Sequence, residues 1–193
     1  MRHVTVDALI PDVPAEAVFD AVLHFERYPD LTPHVRAAVV HEGPPQSQGS
    51  SSWELYFRSG LLRWTECETY DRERLHIAFR QTDGDFDALS GTWLLRQEGP
   101  DCALRFDADF CFGIPSMAGI LDPIAARVIE ETIAWAVTGM FAGVRLGTAP
   151  PKDAAHDGAQ RLGTGSERWT RPTRSRPGPP SGCTAPSTWP GSP

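Results

Sequence analysis

Four side chains stand out as candidates for acid–base chemistry: His34, Arg63, Arg80 and Tyr28. A histidine titrates near neutral pH, so His34 is a candidate general base. Arginine and tyrosine are donors that suit oxygen atoms gaining negative charge. Arg63 precedes Trp64, and Arg80 follows Phe79. Successive side chains on a strand face opposite sides, so at most one member of each pair can face a common interior. The competing readings are a loop position for His34, a sheet surface for the two arginines, and packing of a helical turn for Tyr28. Glu66 and Glu68 share a strand face and read as solvated rather than catalytic. His3, His41 and His76 are scattered and take no role.

Cys67, Cys102, Cys111 and Cys183 show no CxxC spacing and no histidine at zinc-ligand spacing. Thiols in a reducing compartment are expected, with no metal and no cofactor. A formal net charge of −7 argues against nucleic acid as a partner, because neutralising phosphate needs a basic face. No run of 18 apolar residues exists, so no membrane-inserted helix is expected. No basic-then-apolar leader pattern opens the chain, and a cytoplasmic location is expected.

These residues need elements to hold them. Residues 3–10 alternate in part and read as a strand. Val18, Phe19, Val22 and Leu23 recur at helical spacing between Ala15 and Phe25, with Asp12 as the expected N-cap. That helix is expected to stop before Tyr28-Pro29, since the residue before proline avoids helical angles. Six strand-like runs follow: Val35–His41, Ser52–Arg58, Leu61–Tyr70, Leu75–Gln81, Leu89–Gln97 and Ala103–Phe112. Short connections between them predict an antiparallel meander. Ala118–Leu146 carries one wide apolar stripe and reads as a long closing helix, with Pro123 in its first turns.

The chain changes character after Leu146. Nine of the 18 prolines fall between Gly147 and Pro193, and Leu162 is the sole large aliphatic residue there. Such a segment cannot bury enough apolar surface to offset its ordering entropy. The expected organisation is one domain over residues 1–146 and a disordered Pro/Gly/Arg-rich tail over 147–193. The tail holds six basic against three acidic residues, which leaves the domain strongly acidic.

The pattern is α+β, with seven antiparallel strands wrapped around one long C-terminal helix. One helix cannot fill so broad a sheet, so an internal apolar cavity is expected. Its expected ligand-binding residues are Val35, Trp53, Phe57, Trp64, Phe79, Trp93, Phe110 and Trp135.

Val18–Val22, Phe25–Leu31 with its Tyr28-Pro29, Ser90–Trp93, and Phe106–Phe112 followed by the long helix together resemble the START-like polyketide cyclase and coenzyme-Q-binding superfamily. The resemblance spans residues 3–146 and implies a helix-grip fold. One branch implies an aromatase/cyclase that folds a poly-β-ketone chain and promotes regiospecific cyclisation and dehydration, with an acyl carrier protein as partner. The other implies a non-catalytic carrier of a quinone, polyprenyl or other hydrophobic ligand. Gly113–Met117 would suit a gate there. The sequence departs from the cyclase pattern at two positions. Val35 stands where some of these cyclases show tyrosine, and Glu68-Thr69 where an arginine is expected.

Overall fold

The computed structural model describes residues 1–147. Of the tail expected over 147–193, Gly147 belongs to a strand, and the rest, with Cys183, lies outside the described residues. Among these, the strands β1 (Arg2–Ile10), β2 (Val35–Glu42), β3 (Gln48–Phe57), β4 (Gly60–Asp71), β5 (His76–Gly84), β6 (Ala88–Glu98), β7 (Asp101–Cys111) and β8 (Arg145–Gly147) form one antiparallel sheet. Their order is β2-β3-β4-β5-β6-β7-β1-β8. The helices are α1 (Ala15–Val22), α2 (Tyr28–Leu31) and α3 (Pro115–Met140), with a 3-10 turn at Phe25–Arg27.

The meander follows from period-two burial. On β7, Leu104, Phe106, Ala108 and Phe110 are buried while Arg105, Asp107 and Asp109 are half-buried on the other face. The first strand closes the sheet by pairing with β7, from Arg2 opposite Phe110 to Ile10 opposite Cys102. On the outer face Thr5 donates to Asp107 Oδ1 at 2.7 Å, which ties these two distant strands.

Three sequence expectations need correction. The sheet has eight strands, not seven, because Arg145–Gly147 adds to β1. The closing helix therefore ends at Met140 instead of Leu146; Gly143 takes a left-handed φ of 72° and turns the chain beside Pro11. Pro14, not Asp12, stands at the N-cap of α1, and the side chain of Gln97 accepts the Ala15 N–H at 2.6 Å. A residue far away in the chain thus satisfies an orphan donor at the helix start.

Tyr28-Pro29 opens α2 rather than merely ending α1, with the proline in the first turn, where its missing N–H costs nothing. Tyr28 is fully buried and donates its hydroxyl to Val22 O at 3.0 Å. The hydroxyl thereby satisfies a carbonyl at the end of α1 and fixes α2 against it. Phe19, Val18 and Val22 fill the space between α1 and the sheet, each burial worth ~2 kcal/mol against exposure.

An apolar cavity with a buried carboxyl pair

The sheet curves around α3 and leaves a cavity between the two. Trp53 and Leu55 of β3, Trp64 and Glu66 of β4, and Phe79 of β5 form one wall. Leu89 and Trp93 of β6 with Phe106 and Ala108 of β7 form the next. Ile129, Thr132 and Ile133 of α3 close it, with Phe25 and Tyr28 at one end and Phe86 at another.

The aromatic lining is ordered by mutual contact. Trp53 and Trp64 sit opposite each other across β3 and β4 and stack with ring centroids 6.0 Å apart and planes 8° apart. Tyr28 meets Trp53 edge-on at 5.3 Å. Phe79 stacks on Phe106 at 5.8 Å, and Trp93 packs edge-on against the same ring at 4.8 Å. Gly91 makes the Phe79 position possible: a Cβ there would lie 2.4 Å from the Phe79 ring.

One carboxyl interrupts this wall. Glu66 follows Trp64 on the inner face of β4, and Glu68 follows Glu66. Glu66 is 6% exposed and Glu68 1%, so the sequence reading of both as solvated is corrected. Trp64 donates its indole N–H to Glu66 Oε2 at 2.7 Å. Ser51 of β3 donates its hydroxyl to Glu68 Oε1, and Tyr70 donates to Glu68 Oε2 at 3.4 Å. Trp53 in turn donates its indole N–H to Ser51 Oγ at 2.9 Å.

Burial, and then the charge of Glu68, push the Glu66 acid well above the usual carboxylate range. Burial also raises Glu68, to about 7, against the opposing pull of Ser51 and Tyr70. Two carboxyls this close in a dry site resist double ionisation. Donors lower both acids, Ser51 and Tyr70 at Glu68 and Trp64 and Trp53 at Glu66, but at Glu66 burial and the Glu68 charge outweigh them, so the proton is retained there. The cavity is therefore faced by a neutral carboxylic acid near neutral pH, able to give a proton or a hydrogen bond.

The expected site residues divide between cavity and elsewhere. Tyr28, Trp53, Trp64, Phe79 and Trp93 line the cavity. Phe110 is fully buried behind it, against Phe86 at 5.6 Å, and Phe57 packs on Phe112 at 5.9 Å. Val35 is buried opposite Leu55 without reaching the lining. Trp135 is 55% exposed, on the side of α3 away from Ile129 and Ile133.

The structure does not bring His34, Arg63 and Arg80 to the cavity. His34 bonds Glu131 Oε2 at 2.9 Å, and Arg127 donates to the other oxygen of that carboxylate. Arg63 donates to Glu54 on the outer sheet face at 2.8 Å. Arg80 is paired with Cys67 and turned opposite to Phe79. No group of three potential metal ligands occurs among the described residues. None of the described helices is long and apolar enough to cross a membrane.

The family described as "Polyketide cyclase / dehydrase and lipid transport" matches residues 11–136. The chain belongs to this family. A ribosome association toxin, RatA of Pseudomonas aeruginosa, is 28% identical over 134 residues, 68% of this chain and 90% of that protein. Among solved structures, TTHA0849 of Thermus thermophilus superposes with a TM-score of 0.64 at 24% identity, covering 72% of this chain and 94% of that one. The Zhui aromatase/cyclase from Streptomyces sp. R1128 gives 0.52 at 20% identity, covering 72% and 87%. A START superfamily protein from Mycobacterium smegmatis gives 0.57 at 20%, covering 72% and 94%. At these identities the structural likenesses establish the START-like helix-grip fold.

Proposed function

We propose that the protein is a polyketide cyclase/dehydratase that folds a poly-β-ketone chain in its aromatic cavity and drives cyclisation with loss of water. The observation that carries this reading is Glu66, a buried carboxyl facing an otherwise apolar, aromatic-walled space. In the dehydration step the neutral acid protonates the hydroxyl of an aldol adduct. The C–O bond breaks and water leaves. The Glu66 carboxylate then takes the proton from the adjacent carbon as the C=C bond forms, which restores the acid. The stacked Trp53–Trp64 pair and the Phe79–Phe106 pair would hold the chain in the flat geometry that an aromatic ring needs. An acyl carrier protein would present the chain.

The carrier reading has support of its own. Tyr28 and Thr132 direct their hydroxyls to the backbone carbonyls of Val22 and Val128, so the cavity offers few groups for a multistep reaction. A quinone or lipid could rest there unchanged. The ribosome association in the name of the Pseudomonas relative is harder to reconcile with a net charge of −7, since RNA binding draws on a basic face.

The test is turnover of a poly-β-ketone substrate or its aldol adduct, followed by absorbance of the aromatic product, with wild type and Glu66→Gln. The cyclase reading expects faster ring formation with wild type and a loss of about 100-fold or more in Glu66→Gln. Identical product yields with and without protein would leave only the carrier.

A further inference from the structure

We infer that the cavity selects its ligand by charge: it takes a neutral, flat, aromatic or enolic molecule bearing a hydrogen-bond-accepting oxygen aimed at Glu66, and it refuses the carboxylate analogue of the same shape. This rests on the cavity being the binding site, as proposed above, and adds which molecules can enter it.

The selection follows from what the wall contains and how its polar groups are already committed. No Lys, Arg or His side chain of the described residues lines the cavity. An anionic ligand would therefore lose its water without gaining a counter-charge, a cost of several kcal/mol. It would also face a carboxyl pair. The groups around Glu66 are Trp64, Glu68 and Tyr70 on its own strand, Ser51 and Trp53 from β3, Gln81 opposite it on β5, Tyr28 from α2, and Thr132 from α3 across the cavity. None of these is a cation.

The lining hydroxyls are spent. Thr132 donates to Val128 O at 2.7 Å and Tyr28 to Val22 O at 3.0 Å. The indoles of Trp53 and Trp64 donate to Ser51 and Glu66. Among lining carboxyl and hydroxyl groups, Glu66 is the one whose proton remains available. A ketone, quinone or phenol oxygen satisfies it. A ligand with no oxygen leaves a buried polar group unmatched.

Four naphthalene probes of nearly equal size separate these effects: the methyl ketone (acetonaphthone), the carboxylate (naphthoate), the hydrocarbon (ethylnaphthalene) and the primary amide (naphthamide). Binding to the full chain is measured near neutral pH by calorimetry and by quenching of tryptophan fluorescence. Wild type should bind the ketone and the amide at least roughly tenfold more tightly than naphthoate. Glu66→Gln keeps a neutral donor and should hold the ketone within about threefold of wild type. Glu66→Leu should weaken the ketone roughly tenfold while leaving ethylnaphthalene unchanged or tighter. Near-ultraviolet circular dichroism establishes that both variants are folded. Naphthoate binding as tightly as the ketone in wild type overturns charge selection. Equal losses of ketone and hydrocarbon in Glu66→Leu overturn the role of Glu66. If none of the four probes binds, the cavity reading itself fails, and this inference with it. Absence of turnover with intact probe selectivity would instead remove only the cyclase reading.

Discussion

Trp64 and Glu66 lie two residues apart on the inner face of β4, and the Trp64 indole N–H donates to Glu66 Oε2 at 2.7 Å. The same tryptophan that builds the stacked wall with Trp53 therefore holds the carboxyl that interrupts it. Packing and acidity are linked through one side chain. The bond favours the ionised carboxylate and so opposes burial, the larger effect.

Removing that donor alone is informative. Trp64→Phe keeps an aromatic wall but deletes the indole N–H. The Glu66 acid should then rise further, since one hydrogen bond to its charged form is lost. The measurement is the carboxyl carbon shift of Glu66 against pH by NMR, alongside the pH profile of turnover. A downward move of the Glu66 midpoint would contradict the assignment of Trp64 as its donor.

Glu68 makes stability depend on pH in an unusual sense for a carboxylate. The folded protein keeps its proton up to about 7, whereas the ordinary value is 4.5. Between those limits the native state binds more protons than the unfolded chain, so stability falls as pH rises. The full loss approaches ~3 kcal/mol, at ~1.4 kcal/mol per pH unit, and Glu66 acts in the same direction. Asp20 and Asp107 are held low by Arg72, Thr5 and Arg105, so their contribution is lost only below the ordinary aspartate value of 3.8. It leaves the window from 4.5 to about 7 untouched. Urea unfolding across that window should show declining stability in wild type. Glu68→Gln should reduce the slope to the part that Glu66 contributes and raise stability above neutrality. A slope of the same size in Glu68→Gln would assign the effect elsewhere.

His34, Arg63 and Arg80 lie off the cavity, so their removal should separate from that of Glu66. Glu54 receives both Arg63 and Arg36, at 2.8 and 3.0 Å, on the outer face. Exposed pairs of this kind contribute little and act locally. Alanine at each of the three positions should leave ketone-probe affinity within about twofold of wild type, as for other surface changes. A tenfold loss in any one of them would place that residue back in the site.

The strand pattern was readable because one face of each strand is buried, and period two then shows in the residue types. Leu104, Phe106, Ala108 and Phe110 against Arg105, Asp107 and Asp109 carry that signal plainly. The three residues of β8 carry no such pattern; their pairing with β1 is a tertiary event. The overrun of α3 has a similar cause. Phe141 and Val144 continue the apolar spacing, but Phe141 already takes extended backbone angles and Gly143 a left-handed one. The carboxyl pair had a signal that residue type obscured. Glu66 and Glu68 fall on the same face as Leu62 and Trp64, and alternation alone would place them inside. Their charge argued for solvent, and a buried acid that stays protonated escapes that argument. Trp135 shows the converse, since an aromatic type suggested the interior while the helical phase set by Ile129, Ile133 and Val137 turns it out.

Gly91 tests how tightly the cavity wall is packed. It faces Ala108 across β6 and β7 and lies beside Phe79 on β5. An added Cβ would sit 2.4 Å from the Phe79 ring and 2.3 Å from Asp107 O. Both contacts are too short, so the β6–β7 ladder must shift at Asp107 and Phe79 must give way as well. Its stack on Phe106 and the cavity volume in front of it are both lost in part. Gly91→Ala should cost about 2 kcal/mol in urea unfolding, within the range for overpacked cores. It should also weaken the neutral naphthalene probe by roughly tenfold. Phe79→Leu in the same background relieves the ring contact, though not that with Asp107 O, and should recover part of the stability. Recovery of stability without recovery of probe affinity would show that the aromatic face of Phe79, and not cavity space alone, holds the ligand.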